Sequence, residues 1–171
     1  MIQDAIKTVV EGRTLTALEA ESAMGEIMAG AATSAQIAGL AVAMRVRGET
    51  AFEVAGFARA MRAAGLHVTP RATVVADTCG TGGDGKRTLN VSTGAALVAA
   101  GAGVTVAKHG NRAMSSRAGS ADVLEALGVK IDAAPPVVER GLNETGMAFC
   151  FAQVFHPAMK HAGPPRRELG V

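Results

Sequence analysis

The stretch that decides the fold runs Asp77-Thr78-Cys79-Gly80-Thr81-Gly82-Gly83-Asp84-Gly85-Lys86-Arg87-Thr88. Four glycines stand among hydroxyls, acids and two cations, more than a tight turn requires. Consecutive glycines let backbone N–H groups approach an anion closely. Upstream, Thr73-Val74-Val75-Ala76 is a short apolar run that reads as a buried strand. Downstream, a helix is expected from about Ser92 to Ala100, its positive end aimed back at the glycines. Asn90, Ser92 and Thr93 add more polar groups at that helix start than a plain cap needs.

Two known motifs nearly fit. Gly80, Gly82 and Gly85 satisfy GxGxxG, but a dinucleotide fold wants an acid at the end of the next strand, where this chain has Lys108 and His109. Gly80, Gly85 and Lys86 satisfy most of a P-loop, but Arg87 occupies the Ser/Thr position that ligates magnesium, and no apolar strand ending in Asp follows. Anion binding is what both motifs leave standing.

Farther along, Val104 to Ala107 repeats the strand signal, and a second loop is expected over 108–119. Lys108, His109, Gly110, Asn111, Arg112, Ala113, Met114, Ser115, Ser116 and Arg117 place three cations, an imidazole, an amide and hydroxyls together, a donor set that suits phosphate. Helices are expected near Ser120 to Leu127, with Gly128 as stop, and from Pro136 to before Gly146; Met147 to Phe151 reads as a third strand. Strands alternating with helices imply βαβ crossovers and a parallel sheet with ligands at the strands' carboxyl ends.

Residues 1–70 read as helical throughout. Thr16 with Glu19, Thr33 with Gln36 and Thr50 with Glu53 form three capping boxes, and Gly48 and Gly65 supply left-handed stops. The stripes Ile37-Leu40-Ala41-Met44 and Met24-Ile27-Met28 read as bundle packing. Arg45 and Arg47 read as a solvated helix end, His67 as a surface residue, and Cys79 as a small packed residue. His156 and His161 are five apart on an expected helix, a spacing poorly suited to metal ligation.

Apolar residues make up 49% of the 171 and charged residues 19%, which argues against disorder, and no apolar run approaches the ~20 residues of a membrane span. A net charge of +2 with no Trp or Tyr offers no nucleic-acid surface. Cys79 and Cys150 form no CxxC pair, so a disulfide framework or zinc site is not expected, and a reduced, cytoplasmic setting fits the composition.

The run Asp77 to Gly85, the segment Asn90-Val91-Ser92-Thr93, and the string from Lys108 through Ser116 to Gly119-Ser120-Ala121-Asp122-Val123-Leu124-Glu125-Ala126-Leu127-Gly128 closely resemble the anthranilate phosphoribosyltransferase family of tryptophan biosynthesis. The resemblance covers the whole chain. His156-Pro157-Ala158-Met159-Lys160-His161 through Arg166-Arg167-Glu168-Leu169-Gly170 resembles that family's later helix, which returns to its helical domain. Thymidine and pyrimidine phosphorylases share the fold, but carry a histidine where this chain has Cys79 and lack the 108–116 string.

The fold so implied is α/β: a small all-helical domain (1–70, joined by 156–171) and the first part of a mainly parallel-sheet domain (71–155) of the nucleoside phosphorylase and phosphoribosyltransferase type, truncated. The resemblance implies that Gly80, Gly83, Asp84 and Thr88 contact phosphoribosyl pyrophosphate. Asn90, Val91, Ser92 and Thr93 hold its pyrophosphate, with Ser92 also reaching Mg2+. Lys108, His109, Gly110, Asn111, Arg112, Ala113, Met114, Ser115, Ser116 and Ser120 complete that site. Asn111 and Arg166 hold anthranilate in a pocket lined by His109 and Gly80. The implied reaction displaces pyrophosphate at the anomeric carbon by the aromatic amine, giving N-(5-phosphoribosyl)anthranilate, so positioning and leaving-group stabilisation dominate.

A homodimer through the helical domain is implied, and neither nucleic acid nor membrane is an expected partner. Family members run to roughly twice this length, and the remainder carries an acidic metal-binding pair, so these residues alone are expected to be inactive without the missing C-terminal half. A non-catalytic phosphoribosyl-pyrophosphate-binding module and a dinucleotide-binding domain are the alternatives.

Overall fold

The computed structural model describes residues 1–80, 89–113 and 118–170. The chain divides into two compact units, Met1–Gly65 with His156–Val171, and Leu66–Phe155.

The first unit is a helical bundle of α1 (Ile2–Val10), α2 (Ala17–Met28), α3 (Ser34–Arg47) and α4 (Ala51–Ala63). All three capping boxes form. Thr16, Thr33 and Thr50 accept from the backbone N–H groups of Glu19, Gln36 and Glu53, whose side chains bond back to the cap residues. Gly48 ends α3 at φ +90, where a Cβ is disfavoured. Gly65 does not act as a left-handed stop: α4 is capped by Ala64 in right-handed conformation. The periodic stripes reach the core as Ile27, Met28, Ile37, Leu40 and Met44, whereas Ala41 is exposed. A Cβ on Gly56 would run into the Ala17 carbonyl, so α4 crosses α2 where only glycine permits the approach.

Arg47 is not a solvated helix end. Its guanidinium meets both carboxylate oxygens of Glu53 at 2.7 Å, and Glu53 is fully buried. Glu53 also accepts the N–H of Leu15 at 2.8 Å and that of Thr50 at 2.8 Å, so one carboxylate joins the chain before α2, the end of α3 and the start of α4. Burial opposes its ionisation. The hydrogen bonds from Arg47, Leu15 and Thr50 together outweigh that and hold the carboxyl at about 2, below the ordinary 4.5. The unit is completed by a 3-10 turn at Pro157–His161 and α9 (Gly163–Leu169). His161 packs its ring under Gly30, a structural role.

The second unit carries α5 (Val91–Gly101), β1 (Val106–Gly110), α6 (Ser120–Ala126), α7 (Pro135–Thr145), β2 (Met147–Phe151) and the short α8 (Ala152–Phe155). β1 and β2 are parallel, in register from Val106 opposite Met147 to Gly110 opposite Phe151. The expected first strand is reduced to a parallel bridge at Ala76, whose N–H donates to Thr105 while its carbonyl accepts from Ala107. Val74 is 78% exposed, so little apolar burial holds that run in a sheet. β1 also lies later than expected. Val104 is bonded back to Ala99, and pairing with β2 carries Lys108, His109 and Gly110 into the strand rather than the loop. Leu124, Ile131, Phe149 and Phe151 form one apolar cluster of this unit, and Val138, Leu142, Cys150 and Phe155 another. Among the described residues, no helix is long and apolar enough to cross a membrane.

Candidate functional site

The site is built where the carboxyl ends of β1 and of the Ala76 bridge meet the start of α5. Three contacts join the segments. Asp77 Oδ1 accepts the N–H of Cys79 at 2.9 Å and that of His109 at 3.2 Å, tying the residues after Ala76 to β1. Thr78 Oγ1 donates to the Ser92 carbonyl at 2.6 Å, tying them to the first turn of α5. Asn90 caps that helix, its Oδ1 accepting the N–H of Thr93 and the hydroxyl of Ser92, both at 3.2 Å.

Lys108 decides what this arrangement can do. Alternation along β1 buries Val106, Lys108 and Gly110, leaving Lys108 1% exposed. A fully buried lysine is rare without a counter-charge. Nζ donates to the His109 carbonyl at 3.0 Å, and among the described residues no carboxylate pairs with it. Thr93 is buried too, with Oγ1 lacking a partner among the described residues. A buried cation and an unsatisfied hydroxyl beside a helix N-terminus are the complement of an anion.

The segment after β1 is held by Asp122, a residue that sequence reasoning did not single out as part of the site. Its Oδ2 accepts the N–H groups of Ala113 at 2.9 Å and Gly119 at 2.8 Å, tying these two residues to the start of α6. Those two hydrogen bonds, with Arg112, keep its carboxyl below the usual range. The Arg112 guanidinium forks onto Glu125 at 2.7 and 2.9 Å and reaches Asp122 at 3.1 Å, so it ties the end of β1 to α6. Glycine is required at 119, because a Cβ there would lie 2.5 Å from both the Ala113 nitrogen and the Asn111 oxygen. Gly119→Ala is expected to lower unfolding free energy by about 1–3 kcal/mol and to speed exchange of the Ala113 amide, read by denaturant titration and hydrogen exchange.

Of the residues named from the sequence, Gly80, Asn90, Val91, Ser92, Thr93, Lys108, His109, Gly110, Asn111 and Ser120 lie in this cluster or along its elements. A Cβ on Gly110 would meet Ser120 at 2.8 Å, so β1 and α6 touch directly. Gly83, Asp84, Thr88, Met114, Ser115 and Ser116 lie outside the described residues. Arg166 is exposed on α9 of the helical unit. Cys79 is exposed, not packed, with Sγ 3.8 Å from His109 Nδ1. Asp77, which opens the stretch read as the site, had no role of its own in the sequence; an acid placed shortly before the glycines is what an Asx turn uses to bend the chain.

Fold and site together define an α/β unit that sets a buried cation and a helix N-terminus at parallel strand ends, on a chain that also carries a helical bundle. The chain belongs to the glycosyl transferase family: its helical bundle domain matches residues 3–65 and its a/b domain matches residues 72–171. It is similar to proteins named anthranilate phosphoribosyltransferase, with 57% identity over 171 residues to that of Moorella thermoacetica and 58% over 174 residues to that of Thermomicrobium roseum. These alignments cover 100% and 99% of this chain, but 50% and 49% of the relatives, so the chain spans about half the length of the curated relatives it matches. Among solved structures, anthranilate phosphoribosyltransferase from Thermus thermophilus is similar at TM-score 0.92 and 53% identity, over 98% of this chain and 51% of that one. The Saccharomyces cerevisiae enzyme in complex with PRPP and Mg is similar at TM-score 0.89 and 27% identity, over 99% and 51%.

Proposed function

We propose that this chain binds phosphoribosyl pyrophosphate, as the substrate-holding part of an anthranilate phosphoribosyltransferase. The observation that carries the reading is Lys108, a buried cation without a carboxylate partner among the described residues, at the end of β1. The pyrophosphate takes up that charge together with the N-terminus of α5, where Asn90, Ser92 and Thr93 present an amide and two hydroxyls. Among the described residues, a Cβ on Gly80 would meet nothing within 4 Å, which leaves its backbone open to a ligand. Within this unit, Gly80, His109 and Asn111 are the residues assigned to anthranilate.

Ser92 fits a role beside Mg2+, because it contributes one hard oxygen and magnesium keeps most of its ligands as water and phosphate. The ion, when bound, neutralises pyrophosphate charge as it leaves. The chain's own part is to hold the sugar's leaving group and fix the amine against the anomeric carbon. A second copy is read as pairing through the helical unit, whose α1 and α3 expose Val10, Val42 and Val46.

Calorimetric titration tests the binding reading. Phosphoribosyl pyrophosphate with Mg2+ is expected to bind stoichiometrically while NAD does not; NAD binding without phosphoribosyl pyrophosphate binding overturns it. Light scattering on the same samples reports the second copy, and a monomer removes that part of the reading. Formation of phosphoribosylanthranilate by the 171 residues alone contradicts the expectation that they need a further acidic pair.

A further inference from the structure

Beside the anion cluster lies a second group of donors with different chemistry. A carboxylate oxygen of Asp77, the thiol sulfur of Cys79 and a ring nitrogen of His109 all lie within 4.8 Å of one another. Cys79 Sγ and His109 Nδ1 are 3.8 Å apart. Zinc bonds of about 2.3 Å to sulfur and about 2.0–2.1 Å to nitrogen place two such ligands about 3.5–3.8 Å apart around one four-coordinate ion. The Cys79–His109 spacing therefore suits a shared cation, with the Asp77 carboxylate within 4.8 Å of both. Asp77 is also oriented for it: Oδ1 accepts the backbone N–H groups of the other two ligands, Cys79 and His109, and Oδ2 stands outside those hydrogen bonds. Outer hydrogen bonds of this kind fix a ligating carboxylate in metal sites.

We propose that Asp77, Cys79 and His109 bind a thiophilic divalent cation of the zinc class, leaving a fourth position open to water or a small anion. One thiolate, one imidazole and one carboxylate select zinc or cobalt over magnesium, which prefers oxygen. On binding, the Cys79 S–H bond breaks, its proton passes to solvent and the sulfur–metal bond forms. No electron is transferred, and thiolate and carboxylate together neutralise the cation. Cys79 is exposed and accessible to the metal, whereas Cys150 is buried and its thiol is pushed up to about 11 by burial and by Asp77. The site shares His109 with the residues proposed to hold substrate, and titration with metal alone lets its failure be told apart from failure of the phosphoribosyl pyrophosphate reading.

The test is titration of the full chain, stripped with chelator, with Co2+ alone. One equivalent is expected to give ligand-field bands of tetrahedral strength and a thiolate-to-cobalt charge-transfer band, both removed on adding Zn2+. Cys79→Ser is expected to abolish the charge-transfer band, and both it and His109→Gln to weaken Co2+ binding at least about 10-fold. Cys150→Ala is expected to leave the spectrum unchanged. Circular dichroism confirms that each variant is folded, and Cys79, being exposed, can be replaced without opening the core. A folded parent chain that shows only weak octahedral cobalt bands overturns the proposal, as does a charge-transfer band that survives in Cys79→Ser.

Discussion

Glu53→Ala is expected to lower the unfolding free energy of the helical unit by about 3–5 kcal/mol, the range for breaking a buried ion pair from one side. The loss exceeds that of an ordinary cap. Removing the carboxylate leaves the Arg47 guanidinium, 12% exposed, without the two oxygens that its Nη2 bonds, and leaves the buried N–H of Leu15 unpaired. Glu21→Ala is the control: its pair with Arg59 is 38% and 50% exposed, and its loss is expected to cost under about 1 kcal/mol. Urea titration followed by circular dichroism separates the two. The pH dependence follows from the carboxyl's depression to about 2 from the ordinary 4.5. The contribution is fully present above about 4.5 and is lost as pH falls toward 2, so the parent chain loses more stability across that window than Glu53→Ala does. Equal slopes in the two proteins would contradict the assignment.

Lys108→Met is expected to move binding and stability in opposite directions. Methionine keeps most of the buried stem but removes the charge, so affinity for phosphoribosyl pyrophosphate with Mg2+ falls at least about 30-fold, corresponding to about 2 kcal/mol or more for a buried charged contact. The unliganded variant is expected to be as stable as the parent or more so, because a buried cation that has no carboxylate partner among the described residues no longer has to be desolvated. A lysine that served only to hold the core would show the reverse: lower stability with unchanged affinity. Calorimetry and denaturant titration on the same preparation distinguish these outcomes.

What was legible in the sequence was local chemistry. Each capping box is a three-residue pattern satisfied by its own backbone, so Thr16, Thr33 and Thr50 could be read without knowing the fold. The same is true of Gly48, and of Gly146 closing α7, which begins at Pro135, one residue before the expected Pro136. What was not legible depends on distant partners. The Thr50–Glu53 pattern gave no sign that the same carboxylate also takes Leu15 and Arg47. Pairing with Met147–Phe151 draws Lys108 into β1 and buries it, which turns a loop cation into the central feature of the site. Asp122, pinning Ala113 and Gly119, and Asp77, pinning Cys79 and His109, act through backbone N–H groups that no side-chain pattern announces. The absence of a CxxC pair argued against zinc, but the fold brings His109 to Cys79 from another strand end.

Hydrogen exchange with and without saturating phosphoribosyl pyrophosphate and Mg2+ tests most directly where the anion sits. Slowed exchange is expected at Asp77–Gly80, at Val91–Thr93 and at Lys108–Asn111, with α1 and α3 unchanged. Slowing confined to the helical unit, or none under saturating ligand, would contradict it.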